Sequence, residues 1–155
     1  MSASGAIGLG AISGLRAFSG PAFVSRAASG GNLNLGGTPL GFLSSPRLST
    51  VLITMALGEL AGDKLPTTPS RTALPPLISR AVSGGLVGAA LFASEGLRIP
   101  AGAILGAASA VTAAFAGERL RAFARERTGV PDPLVTVAED AVVLAIGAYS
   151  LRPNR

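Results

Sequence analysis

The sequence contains no cysteine, no histidine and no tryptophan, and aromatic residues make up 5% of it. The missing cysteine and histidine exclude disulfides, thiolate zinc sites, iron–sulfur clusters and His-ligated haem. They also exclude Ser-His and Cys-His nucleophilic catalysis. A metal could be held here only by carboxylate and carbonyl oxygens, which suit hard cations. No metal and no cofactor is expected. Charge is scarce as well. Asp, Glu, Lys and Arg together are 14% of the 155 residues, against roughly 25% in soluble domains. A soluble chain of this size needs a charged surface, and this composition does not supply one.

What is present is Ala, Leu, Val, Ile and 21 Gly, with a mean hydropathy of +0.53. Small residues let helices approach closely in lipid. The net charge is +5 and the pI about 11.3, but the basic residues are Arg dispersed between apolar runs, clustered only after position 118. Membrane loops show that pattern, so nucleic acid is not an expected partner. The N-terminus has no basic stretch before its apolar run, and no cleaved signal peptide is expected.

The chain divides into five apolar segments within one transmembrane domain, 1–155. The first runs from about Ala3 to Ala28 and is expected to break near Gly20-Pro21, since an internal proline removes a helix hydrogen bond. It is either one bent span or a half-helix that turns back. A Gly/Asn loop, Ser29 to Thr38, follows. The second segment opens at Ser45-Pro46, a Ser N-cap followed by Pro at the first helical position, and stops before Pro66. The third begins at Pro76. The fourth begins at Pro100, is apolar to Gly117 and extends as a polar helix toward Arg127. The fifth opens at Asp132-Pro133 and runs to about Leu151. The expected fold is therefore all-α: a polytopic transmembrane bundle of four to five helices.

Four segments carry a G-x-x-x-G pair: Gly10/Gly14, Gly58/Gly62, Gly84/Gly88 and Gly102/Gly106. The fifth has Ala141/Ala145. This spacing aligns small residues on one helix face. Gly58-Glu59 and Gly117-Glu118, each followed by a Pro-opened helix, form a weak repeat that pairs the second segment with the third and the fourth with the fifth.

Ionisable residues inside membrane spans are costly, and each is a candidate for function. Glu59 lies about 20 Å along its helix from Pro46. Asp63 is one turn further, with Lys64 beside it. Arg80 lies just inside the third segment, Glu118 and Arg119 close the apolar part of the fourth, and Glu139 and Asp140 lie within the fifth. Two crossings separate the turn after the second segment from the turn after the fourth, so all of these fall in one leaflet whichever way the chain is inserted, and Arg16 at mid-depth can reach the same layer. The binding or ion-pair cluster read from the sequence is thus Glu59, Asp63, Lys64, Arg80, Arg16, Glu118, Glu139 and Asp140. Glu59 is its expected central acid, with Arg80 or Arg16 as counter-charge. Glu139 and Asp140 point about 100° apart, so only one joins the cluster easily. If the first segment spans, positive charge in short loops places the N-terminus inside and the C-terminus outside.

The residues Gly58-Glu59-Leu60-Ala61-Gly62-Asp63-Lys64-Leu65-Pro66, then Pro69-Ser70-Arg71 and Arg80-Ala81-Val82-Ser83-Gly84, form the pattern E-x-x-x-D-K-x-P followed by R-x-x-S-G-x-x-x-G. With Gly14-Leu15-Arg16 and Ala138-Glu139-Asp140, this resembles the bacterial membrane family catalogued as domain of unknown function four-one-two-six. The resemblance implies a small multi-pass protein of the bacterial cytoplasmic membrane and implies no chemistry. Three functions compete. One is an ion or small-solute transporter or channel component. Another is a non-catalytic assembly factor or complex subunit with a structural ion-pair network. The third, a lipid-modifying enzyme, lacks any D-x-x-D-G or G-x-S-x-G arrangement, so no catalytic residue is assigned. The expected partners are the lipid bilayer and either a second copy of the chain or another membrane protein.

Overall fold

The computed structural model describes residues 2–62, 73–128 and 132–150. Among them the fold is all-α, with no strand. The helices are α1 (Ser2–Leu15), α2 (Ser19–Ser29), α3 (Pro46–Gly62), α4 (Leu74–Ser94), α5 (Ile99–Thr128) and α6 (Asp132–Ser150), with a 3-10 turn at Gly41–Ser44 before α3. Proline sets several of the starts. Pro46 opens α3, Pro75 and Pro76 stand in the first turn of α4, and Pro100 in that of α5, where a missing N–H removes no internal bond. Gly96, at φ 68°, makes the turn from α4 to α5. α4, and α5 over Ile99–Ala124, are each long and apolar enough to cross a membrane, and Ala3–Leu15 is a shorter apolar helix.

α1 and α2 form a hairpin. In a straight helix Leu9 and Gly20 would stand about 16 Å apart along the axis. Instead, a Cβ placed on Gly20 would come within 3.0 Å of the Leu9 carbonyl oxygen and would overlap Ser13 Oγ. α1 descends beside α4 from Leu91, which Gly5 approaches, to Ser83, which Ala17 touches; α2 climbs back toward Val87. The break lies at Arg16–Phe18 and not at Gly20-Pro21, which sit buried in the first turn of α2. Proline interrupts the helix at a distance. Pro21 cannot donate to the carbonyl four residues earlier, that of Ala17, and its ring crowds that carbonyl. The chain gives way upstream of the proline, and Gly20 lets the returning arm close on the first.

The hairpin changes the end-to-end geometry. The start of α1 lies at the same end of the bundle as the end of α4, while the start of α4 and the end of α5 lie at the other end. A spanning first segment would have put the N-terminus with the latter, so the expectation of opposite ends for the two termini does not hold. α6 rises from Asp140 beside Arg16 to Gly147 beside Phe23, toward the end where α1 begins.

The tightest packing joins α1, α4 and α5. A Cβ on Gly10 would stand 2.7 Å from the Gly106 carbonyl oxygen, and one on Gly14 would overlap the Ala110 carbonyl. On the other side of α5, Gly84 and Gly88 meet Gly106 and Gly102 backbone to backbone. Gly106 thus serves two interfaces: its backbone receives Gly10 on one side, and on the other a side chain at Gly106 would part α5 from α4. The remaining small-residue pairs are used differently. Gly58 on α3 has open space around its Cβ position, and Ala141 and Ala145 on α6 are exposed. The pairing implied by the repeat is also not the packed one: α4 lies along α5, while α3 lies against α2 and the 3-10 turn. Outward-facing Leu57, Val82, Ile104 and Leu144 are exposed.

Candidate functional site: the hairpin tip and its charges

The hairpin tip lies at mid-height. Gly14 meets Ala110, Ala17 meets Ser83 and Arg16 meets Asp140; these three partners stand near the midpoints of Ile99–Ala124, of α4 and of α6 respectively. Breaking a helix there exposes backbone groups that must find partners. α1 closes with Arg16 N–H donating to Ile12 at 2.7 Å, and α2 opens with Ala22 N–H donating to Phe18 at 3.0 Å. Between them, the Ala17 and Phe18 N–H groups donate to the two carboxylate oxygens of Glu59, at 2.8 and 3.0 Å. The Ala17 carbonyl, deprived of a donor by Pro21, accepts from the Ser83 hydroxyl. Glu59 therefore caps the N-terminus of α2 from a different helix, where a negative charge is favoured by the aligned peptide dipoles.

Arg16 is fully buried. Its Nε and Nη2 both donate to Oδ1 of Asp140, at 3.0 and 2.6 Å. Burial of this pair is tolerable only because charge and hydrogen bonds are matched together. Arg80, also buried, brings Nη2 to 4.0 Å from Glu59 Oε1, the outer limit of an ion pair. The tip is thus surrounded by four of the expected cluster residues: Arg16, Glu59, Arg80 and Asp140. Glu59 takes Arg80 as its nearby cation and Arg16 goes to α6.

Glu139 leaves that node. Its carboxylate accepts from Arg121 Nη2 at 2.6 Å, which joins α6 to α5 below the tip. Glu118 lies in the same lower half, partly buried, and Arg119 beside it is exposed. Asp63 and Lys64 fall outside the described residues. Below the tip, Leu15, Gly117, Leu120, Ala138, Glu139 and Val142 border a mostly apolar hollow of about 380 Å³. It forms because the two short arms of the hairpin fill only one half of the bundle. No group of carboxylates fit to hold a metal occurs among the described residues.

The whole of this arrangement falls within residues 4–152, which match the family described as Domain of unknown function (DUF4126). The chain belongs to that family. No curated protein and no solved structure matches it.

Within this DUF4126 chain, three parts of the site were not assigned to it from sequence. Ser83 stands in the R-x-x-S-G motif, one turn from Arg80, and its signal was the proline at Pro21, which dictates that the Ala17 carbonyl needs an outside donor. Arg121 stands one turn after Glu118, but nothing in its spacing tells its inward role from the solvated one of Arg119. The amides of Ala17 and Phe18 carry no sequence signal, because a backbone group becomes available only where a helix stops.

Proposed function

We propose that this is a small multi-pass protein of the bacterial cytoplasmic membrane, and that the α1–α2 hairpin re-enters the bilayer to build a charged site that moves an ion or small solute. The observation that carries the reading is a polar chain break at mid-height, sealed by a carboxylate from another helix. Non-helical backbone at that depth is tolerated only when buried in protein or lining a cavity. Half-helix ends at the midplane are a recurring feature of transport sites. The exposed apolar girdle of Leu57, Val82, Ile104 and Leu144 matches lipid better than water, and intramembrane carboxylates and guanidiniums mark pathways for charged solutes. Withdrawal of Glu59 from the tip would release two amides and alter the charge facing Arg80, which gives the site two states. A chain this small would work as a homo-oligomer or beside a membrane partner.

A second reading, a non-catalytic assembly or complex subunit, is favoured by one observation. Glu59, Asp140 and Glu139 are each met by donors within the chain, as a structural network requires. Flux separates the two. Purified protein in liposomes is assayed for passage of chloride, sodium, protons and small carboxylates, alongside Glu59→Gln. The transport reading expects flux above empty liposomes, altered at least tenfold by Glu59→Gln in protein that remains folded. Absence of flux for all four, with Glu59→Gln acting only on stability, would favour the subunit.

A further inference from the structure

α2 is flanked by α3 on one side and α6 on the other, and a groove with room for about 230 Å³ runs between them. Phe23, Ile53, Leu57, Leu60 and Leu144 make its walls, so it is almost wholly apolar. Among the described residues one charged side chain borders it, that of Arg26, and no acid does. Ser19 stands at the other end, seven residues earlier, or about 10 Å along α2. Arg26 is exposed in the last turn of α2, with Nη1 3.7 Å from the Cβ position of Gly30. Its guanidinium is therefore at the helix end, at the edge of the bundle where α1 begins. Arg26 forms no ion pair among the described residues, unlike the buried Arg16. The groove is an apolar trench along the bundle axis with one cation, Arg26, at its outer mouth and no carboxylate against it among the described residues.

We propose that this groove binds one acyl chain of an anionic phospholipid, with the lipid phosphate held by Arg26. The proposal rests on the membrane reading above. In a bilayer an apolar trench of this depth is filled by hydrocarbon, since water there would lose its hydrogen bonds. The cation at the mouth selects the headgroup. A guanidinium presents a planar fork of donors that matches phosphate geometry, and basic residues at the ends of interhelical grooves recognise anionic headgroups. The bound chain would also fill the gap beside Leu60, the neighbour of Glu59, and so hold α3 against the hairpin.

The test begins with carbonate washing of membranes and then uses full-length protein in nanodiscs of phosphatidylcholine alone or with phosphatidylglycerol. Native mass spectrometry reads the lipid retained, and thermal unfolding reads stability. Wild-type protein is expected to retain phosphatidylglycerol over phosphatidylcholine and to melt higher in its presence. Arg26→Gln is expected to lose about tenfold in retention, the scale of one charge-assisted hydrogen bond. Arg26→Lys should lose less. Leu57→Trp, which fills the trench from an exposed rim position, should lose retention with Arg26 intact and keeps the test decisive if Arg26→Gln does not fold. Arg47→Gln, an exposed cation at the start of α3, should change nothing. Equal retention of the two lipids would overturn the lipid site and leave the membrane reading standing. Equal losses in Arg26→Gln and Arg47→Gln would overturn it too, as general surface attraction. Release by carbonate would overturn both readings.

Discussion

Glu59→Gln removes one oxygen from the hairpin tip and leaves nearly the same shape. In the wild type each carboxylate oxygen accepts one backbone N–H, at 2.8 Å from Ala17 and 3.0 Å from Phe18. The glutamine offers one oxygen, so one N–H faces an NH₂ group and is left without an acceptor, at about 1–3 kcal/mol. The surviving bond changes from charged to neutral, at about another 1 kcal/mol. The buried Arg80 also loses a facing carboxylate, but at 4.0 Å, the outer limit of an ion pair, its share falls within the same range. The total is roughly 2–4 kcal/mol. For a chain of 155 residues this corresponds to a fall in Tm of roughly 4–16 °C. The assay is thermal unfolding in a mild detergent, followed by far-UV circular dichroism. Glu59→Ala should fall further, because both amides lose their partner. A Glu59→Gln protein with an unchanged Tm would refute the reasoning, since it would mean that the tip amides do not depend on that carboxylate.

Asp140→Asn removes the charge of the carboxylate that takes two hydrogen bonds from the buried Arg16 guanidinium and should cost about 3–5 kcal/mol; Arg16→Met combined with it should recover part of the loss, a non-additivity that a double-mutant cycle measures. Gly106→Leu drives a side chain into the backbones of Gly84 and Gly88, so folded yield after detergent extraction should collapse, whereas Gly58→Leu, in open space, should leave it intact. Ser83→Ala removes the donor to the Ala17 carbonyl and should lower stability by about 1–2 kcal/mol in chemical unfolding. Cysteines introduced at Gly31 and Gly96 should label from the same face of the membrane as one added before α1. With the Arg119–Arg127 region cytoplasmic, that face is the outer one, and labelling of the cysteine before α1 from the face opposite to Gly31 and Gly96 would refute the re-entrant hairpin.

The sequence by itself determined the helical class and most of the helix starts, though not the division of the first segment into α1 and α2. These depend on local chemistry: proline at helix starts, glycine at turns and long apolar runs between them. It also determined where close packing was available, since a G-x-x-x-G pair puts two small residues on one face wherever the helix goes. Which pairs would be used was decided only in the tertiary structure, because Gly58/Gly62 and Gly102/Gly106 look alike until α5 is found between α1 and α4. Part of the charged layer was legible, since buried charge stands out in apolar sequence: Arg16, Glu59, Arg80 and Asp140 meet at the tip, but which of them pair was not. Arg16 and Arg80 were equivalent candidates for Glu59 until the fold gave Arg16 to Asp140. The break was displaced from Gly20-Pro21 to Arg16–Phe18 for a physical reason that local reading underweights. A proline acts on the carbonyl four residues before it, and whether the chain bends slightly or reverses there depends on what can receive the freed groups. Here Ser83 and Glu59, from two other helices, receive them, so the turn that organises this protein exists only once those helices are in place.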